Sequence, residues 1–429
     1  MLNKRKYIQT VLVLAAAFLL MQCAAPSGST STPALPKATP AAAVSSPAAA
    51  PSPSPTPAPS PSPSPSPTPS PTPSPVPTAP PDPVRTILDA MSDEELLGQM
   101  VMLGFTGQDG MPKEVTELYV KYKIGGVMLF GWNVKTFEQT KRLVGAINAM
   151  NPNPALPYLI GIDEEGGIVH RLPWNPPTRS AATMGKRNKY DEVYAQYLRV
   201  GKGLRELGIN TNFAPVLDIA PDPSATFLGN RIFGSSFKRV IPLTNAAIRG
   251  TQDAGIIAVG KHFPGHGGTV EDSHKVLPTV EGSMKNLRGY ALKPFAAAVE
   301  TGIDAIMVGH LLVPAVDKKL PASLSKKAIT GLLREEMGFN GVIFSDDMRM
   351  GGIISHYNIG EAGVRFIEAG GDVVFVGKHT NLQIKVLEAL DKALKDGRLT
   401  RERLLESAYR IVSLKLRLKA AAASGAPPS

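Results

Sequence analysis

The chain of 429 residues contains one cysteine, Cys23, so no internal disulfide is possible. Beyond residue 23 it lacks any run of 18 or more apolar residues, which argues against a membrane span in the remainder. Its basic residues form no arginine stripe and no patch interleaved with aromatics, so nucleic-acid binding has little support despite a formal net charge of +10. Aromatics amount to 6% and apolar residues to 43%, ordinary values for a soluble α/β protein.

What is present first is an export signal. Lys4, Arg5 and Lys6 precede the apolar run Val11 to Met21, which has the length of a signal-peptide core. Cys23 stands where a bacterial lipoprotein is cleaved and acylated, although Gln22 occupies a place usually held by a small residue. Residues 1–22 are therefore expected to be a lipoprotein-type signal peptide and Cys23 the lipid attachment site, on a membrane-anchored protein of the periplasm or cell surface. An ordinary signal peptide with an incidental cysteine is the alternative. Residues 23–83 are dominated by Pro, Ser, Thr and Ala, with Pro-Ser and Pro-Thr pairs recurring from Pro51 to Pro77. Proline fixes φ and removes backbone donors, so a disordered, polyproline-like spacer is expected. Extended, it reaches on the order of 150 Å.

From residue 84 apolar runs alternate with amphipathic stretches, the pattern of a parallel sheet with crossover helices. Eight strands are expected: 100–105, 125–130, 158–163, 210–217, 257–262, 305–310, 342–346 and 372–376. Ser92 and Glu95 have capping-box spacing before an apolar run, and a last helix is expected over Arg401 to Lys419. Eight βα units in about 340 residues fit a single (β/α)8 TIM barrel over residues 84–420, followed by a disordered tail at 421–429. An open doubly wound sheet is the alternative. The unusual polar residues, Asp163, Asp218, Lys261, His262, His310, Asp346 and Asp347, all fall at or just after strand ends, and only a barrel converges those ends on one face.

Three segments carry the chemistry. Lys261-His262-Phe263-Pro264-Gly265-His266-Gly267, followed by Asp272-Ser273-His274, places three histidines, a lysine and an aspartate within fourteen residues of a Gly-rich loop. Such a density of titratable groups is hard to explain as packing. The second is Ser345-Asp346-Asp347-Met348 and the third Gly161-Ile162-Asp163-Glu164-Glu165-Gly166-Gly167 with Arg171 nearby, each after a strand.

These segments resemble glycoside hydrolase family 3, in its single-domain β-N-acetylglucosaminidase branch, in order over residues 85 to 380. The resemblance implies Asp346 as nucleophile, His274 as general acid/base and Asp272 as its orienting partner. It also implies that Asp163, Arg171, Arg231, Lys261 and His262 grip the sugar's hydroxyls and acetamido group. His170 stands where related sequences often have Gln. Many relatives take their acid/base from a second domain, which the chain is not expected to have. The chemistry is coherent without the family name: retaining cleavage needs an attacking carboxylate and a proton donor, and an imidazole serves near neutral pH with little tuning. The His274 loop is expected to move, reaching the scissile bond only when closed.

The expected activity is retaining hydrolysis of terminal β-linked N-acetylglucosamine from peptidoglycan fragments or chitin-type oligosaccharides, by a monomer, with no cofactor and no metal. Alternatives are a β-glucosidase or phosphorylase of the same family, attack by the substrate's own acetamido group, a zinc site built on His262, His266, Asp272 and His274, and a glycan-binding lipoprotein without catalysis. Successive side chains on an extended strand face opposite ways, so Asp347 is read as a structural acceptor. His266 either positions its loop or joins the site; His310 either lines the pocket or is a satisfied buried histidine. Arg349 either binds an acidic substituent or points into solvent, and His356 and His379 are read as surface residues.

Overall fold

The computed structural model describes residues 82–424 other than Pro154. The expected signal peptide, Cys23, the spacer up to residue 81 and residues 425–429 lie outside the described residues.

Eight short strands form one parallel sheet: β1 Val101–Gly104, β2 Gly126–Leu129, β3 Leu159–Ile162, β4 Thr211–Asn212, β5 Ile257–Phe263, β6 Ala305–Val308, β7 Val342–Ser345 and β8 Val374–Val376. Each pairs with its neighbour in sequence, and β8 pairs with β1. The ring closes where Phe344 of β7 bridges Val373, with Ser345 N–H donating to Val373 O at 3.0 Å. This is the expected barrel. Every strand is buried throughout, covered by helices outside and side chains inside, which is why most of them read as apolar runs.

A helix follows every strand: Lys113–Tyr122, Phe137–Ala149, Tyr190–Glu206, Phe237–Asp253, Lys293–Glu300, the π-wound Lys327–Glu336, Ile359–Glu368 and Thr380–Lys395. The expected capping box is formed reciprocally: Ser92 Oγ accepts from Glu95 N–H at 3.2 Å and Glu95 Oε2 from Ser92 N–H at 3.0 Å. Inside the barrel, Phe213 meets Phe344 edge-on at 5.2 Å. A Cβ at Gly161 would lie 2.5 Å from the Phe213 ring, so that large side chain fills the interior only because β3 carries a glycine there.

Most strand ends fall within one or two residues of expectation, and three boundaries differ for a reason that can be traced. Strand β4 was read over 210–217, but its ladder covers only Thr211–Asn212, because Ala214 N–H turns back onto Asn212 O at 2.8 Å and Pro215 brings no N–H; pairing resumes at a single bridge, Val216 to Lys261. The domain begins slightly early, since Asp82 caps a helix at Pro83–Asp89 through Val84 N–H. The closing helix runs Arg401–Ser424, into the expected tail, because four consecutive alanines from Ala420 are the best helix formers available.

Candidate active site

The C-terminal strand ends surround a cleft of about 470 Å³ lined by Asp163, Glu165, Arg171, Arg231, Lys261, His262, His274 and Asp346. Of the eight expected site residues, seven therefore line one cavity. Asp272 stands behind His274.

One wall is a buried ion network. Lys261, in β5, donates to Asp163 Oδ1 and lies against Glu165 Oε1, both at 2.7 Å. Arg231, from the loop after β4, forks onto Glu165 at 2.8 and 2.9 Å, and Arg171 reaches Asp163 at 3.5 Å. Burial works to raise the Glu165 carboxyl, but the Lys261 and Arg231 charges outweigh it and hold it below its ordinary range. Burial likewise works to lower the Lys261 ammonium, and Asp163 with Glu165 more than offsets it, so the amine stays charged. Fixed cations beside partly exposed carboxylate edges suit recognition of polar hydroxyl and amide groups.

Glu165 was not singled out from the sequence. Asp163 and Glu165 alternate around Glu164, and along an extended segment such alternation directs i and i+2 to one side. That spacing was the available signal. Glu164 turns away, accepting the backbone N–H of Arg171 at 3.0 Å and of Leu172 at 3.2 Å.

The loop after β5 is clasped by Asp218, fully buried after β4. Its carboxylate accepts from His262 N–H at 3.0 Å, His262 Nδ1 at 2.7 Å and His266 N–H at 2.6 Å. A carboxylate on Nδ1 assigns the ring proton there and leaves Nε2 as the acceptor, 3.4 Å from Arg231 Nη2. His266 is buried, and burial, with His262 beside it, drives its imidazole down to about 4. Its Nε2 lies 3.0 Å from Ser273 Oγ and its ring against Phe227, so it steadies the segment that presents His274.

His274 stands at the open rim, its side chain 64% exposed. Asp272 Oδ1 accepts from both the His274 backbone N–H and ring Nδ1 at 2.9 Å, so Nε2 is left to exchange a proton with whatever occupies the cleft. Asp346 follows β7 at the base of the cleft. Burial works to raise its carboxyl, and His310, His262 and His274 with the Asp347 N–H outweigh this, holding it below its ordinary value. Asp347 N–H holds Asp346 Oδ1 at 2.8 Å, whereas Oδ2 makes no hydrogen bond among the described residues.

The neighbours resolve as follows. Asp347 accepts from Gly377 N–H at 3.0 Å and takes the Arg349 guanidinium in a fork, so Arg349 is ion-paired rather than directed into solvent. His310 is a satisfied buried histidine between Ser323 Oγ at 2.8 Å and Asp347 O at 3.1 Å. Trp132, absent from the expected set, lines the cleft, stacked on Phe130 at 4.3 Å with Lys378 over its indole, also at 4.3 Å. Among the described residues no group of three or more His, Cys, Asp or Glu is arranged to hold a metal ion.

The model of the glycosyl hydrolase family 3 N terminal domain matches residues 92–414. β-Hexosaminidase A of Pseudoalteromonas piscicida is 32% identical over 374 residues, covering 78% of this chain but 62% of that protein, and a β-hexosaminidase of Thiobacillus denitrificans is 35% identical over 277 residues, 62% of this chain and 75% of the relative. Among solved structures, a family 3 β-N-acetylglucosaminidase from Paenibacillus superposes with a TM-score of 0.74 at 38% identity, covering 77% of this chain and 63% of that one. LpqI of M tuberculosis gives 0.69 at 31%, covering 77% and 96%. The chain thus spans less than two thirds of the Pseudoalteromonas and Paenibacillus proteins and nearly all of LpqI. Because the matched segment contains every strand of the barrel, the chain belongs to glycosyl hydrolase family 3.

Proposed function

We propose that the cleft removes terminal β-linked N-acetylglucosamine with retention of configuration. The observation that carries this reading is an ionised carboxylate, Asp346, at the base of a cleft whose rim presents His274 with Asp272 on its far ring nitrogen. Asp346 Oδ2 attacks the anomeric carbon while His274 Nε2–H protonates the departing oxygen, breaking the glycosidic bond and leaving a glycosyl ester on Asp346. His274 Nε2 then takes a proton from water, whose oxygen displaces the ester and restores the carboxylate. Asp272 keeps the Nδ1 proton in place and favours the imidazolium formed in the second step. Asp163, Arg171, Arg231, Lys261 and His262 hold the sugar's hydroxyls and acetamido group. The β-hexosaminidase and β-N-acetylglucosaminidase names of the relatives support that choice of sugar. Attack by the substrate's own acetamido group needs a second, available carboxylate to orient it, and Asp347 is already committed to Arg349 and Gly377.

Peptidoglycan fragments or chitin-type oligosaccharides are the proposed source of the sugar. Anchoring through acylated Cys23 on the outer side of a membrane suits such a polymer, and loss of fatty-acid label on Cys23→Ala tests it. The reaction is tested by turnover of aryl β-N-acetylglucosaminide beside aryl β-glucoside, then trapping with a slow fluorinated N-acetylglucosaminide and peptide mapping. An adduct on Asp346 with preference for the acetamido sugar is expected. Turnover without adduct, with strong inhibition by a thiazoline mimic, replaces this reading by substrate-assisted attack.

A further inference from the structure

Two loops from different strands must meet for the proposed chemistry: that after β5, bearing His274, and that after β7, bearing Asp346. They are joined at one place. Gly351 N–H donates to His274 O at 3.0 Å and Gly352 N–H to Ser273 O at 3.2 Å. Elsewhere, among the described residues, 272–275 hydrogen-bond only to one another, to Val276 and to His266. At Gly351 the approach is closer than a side chain permits, and at Gly352 it is tight. A Cβ on Gly351 would lie 2.5 Å from Lys275 O and 2.8 Å from His274 O; on Gly352 it would lie 3.0 Å from Val276 O and 3.4 Å from Ser273 O. Every one of these obstacles is backbone, which has no rotamer by which to step aside.

We infer that Gly351 and Gly352 are positioning residues that dock the His274 loop onto the Asp346 loop and so set the height of His274 Nε2 above the cleft. This rests on the proposed role of His274. Four residues separate Asp346 from Gly351, so the nucleophile and the seat of the proton donor move as one short unit. A methyl group at 351 lifts the carbonyl of His274 itself off its seat, whereas one at 352 presses on Val276 and Ser273 with less intrusion. Misplacing a general acid costs most where the leaving group needs its proton and least where the leaving group departs unaided.

The test measures kcat/KM, which reports the glycosylation step, for aryl N-acetylglucosaminides from dinitrophenyl to phenyl with wild type, His274→Ala, Gly351→Ala and Gly352→Ala, alongside melting temperature. His274→Ala is expected to lose far more activity on the phenyl than on the dinitrophenyl substrate. Gly351→Ala copies that slope in part: roughly 10- to 100-fold loss on phenyl against less than about threefold on dinitrophenyl. Gly352→Ala goes the same way to a smaller extent and carries the test should Gly351→Ala fail to fold. Equal loss across all leaving groups in both glycine variants, beside a steep His274→Ala, overturns the docking inference alone. A flat His274→Ala overturns the role of His274, and this inference with it.

Discussion

The two ends of the barrel each bury a carboxylate beneath guanidinium groups, with opposite results. At the N-terminal end Asp372 is fully buried and saturated: it accepts from Ile343 N–H at 2.8 Å, Ser407 Oγ at 2.5 Å and Arg410 at 3.1 Å, and pairs with Arg334. Ser407 and Arg410 belong to the closing helix, so this knot binds that helix to the strand it must cover. At the C-terminal end Glu165 is almost as buried, but its partners Lys261 and Arg231 extend to groups that face the cleft. A buried ion network whose every acceptor is filled is a fastening. One that ends in half-exposed edges, as at Asp163, is a binding surface.

That contrast breaks most visibly at Asp346. Replacing it with Ala is expected to lower kcat/KM by at least about 10⁴-fold, as for loss of a nucleophile acting within a catalytic unit, while the melting temperature stays close to wild type. Parallel kinetics and calorimetry check this, and loss of fold would refute it. Asp372→Ala should do the reverse. Removing one partner strands buried cations, at a cost of about 3–5 kcal/mol in unfolding free energy, with activity per folded molecule retained. Urea unfolding beside active-site titration separates the two quantities.

The smallest expected effect sharpens the comparison within the upper end. Glu164 makes no ion pair among the described residues. Burial raises its carboxyl to about 7, with the Arg171 and Leu172 N–H groups, the nearby Trp174 indole and His170 acting to lower it. Its folded pKa lies above its ordinary value, so its contribution to stability is present below about pH 4.5 and is lost as pH rises through about 7. Glu164→Gln should flatten that decline, gaining roughly 1–3 kcal/mol over wild type at pH 8 and little at pH 4. Unfolding curves at the two pH values decide it, and equal gains at both exclude Glu164 as the titrating group.

Much of the site was legible because its signal is local. A run such as Lys261 to His274 is too polar for a buried strand end unless it is used, and strand-then-acid patterns marked Asp163 and Asp346 in the same way. Asp218 was noticed at a strand end, but not its work, since clasping His262 and His266 joins segments more than forty residues apart. Trp132 gave no sign of joining the cleft, because one tryptophan after a strand reads equally as core. The short ladder of β4 was misread since its apolar residues continue past Pro215, whereas the turn of Ala214 N–H onto Asn212 O and the missing Pro215 N–H interrupt the pairing.

Sequence alone determined the order of strands and helices, the barrel as the way to gather their polar ends, and the identity of seven side chains in the cleft. The first two follow from periodicity and from residue types too costly to bury without purpose, whereas the seven side chains also needed the resemblance to glycoside hydrolase family 3. Tertiary structure decided which charges neutralise one another, that Arg231 is committed to Glu165 and Arg349 to Asp347, and that a pair of glycines seats the His274 loop. Those outcomes depend on distances between loops from different strands, which closure of the barrel sets and no local pattern encodes.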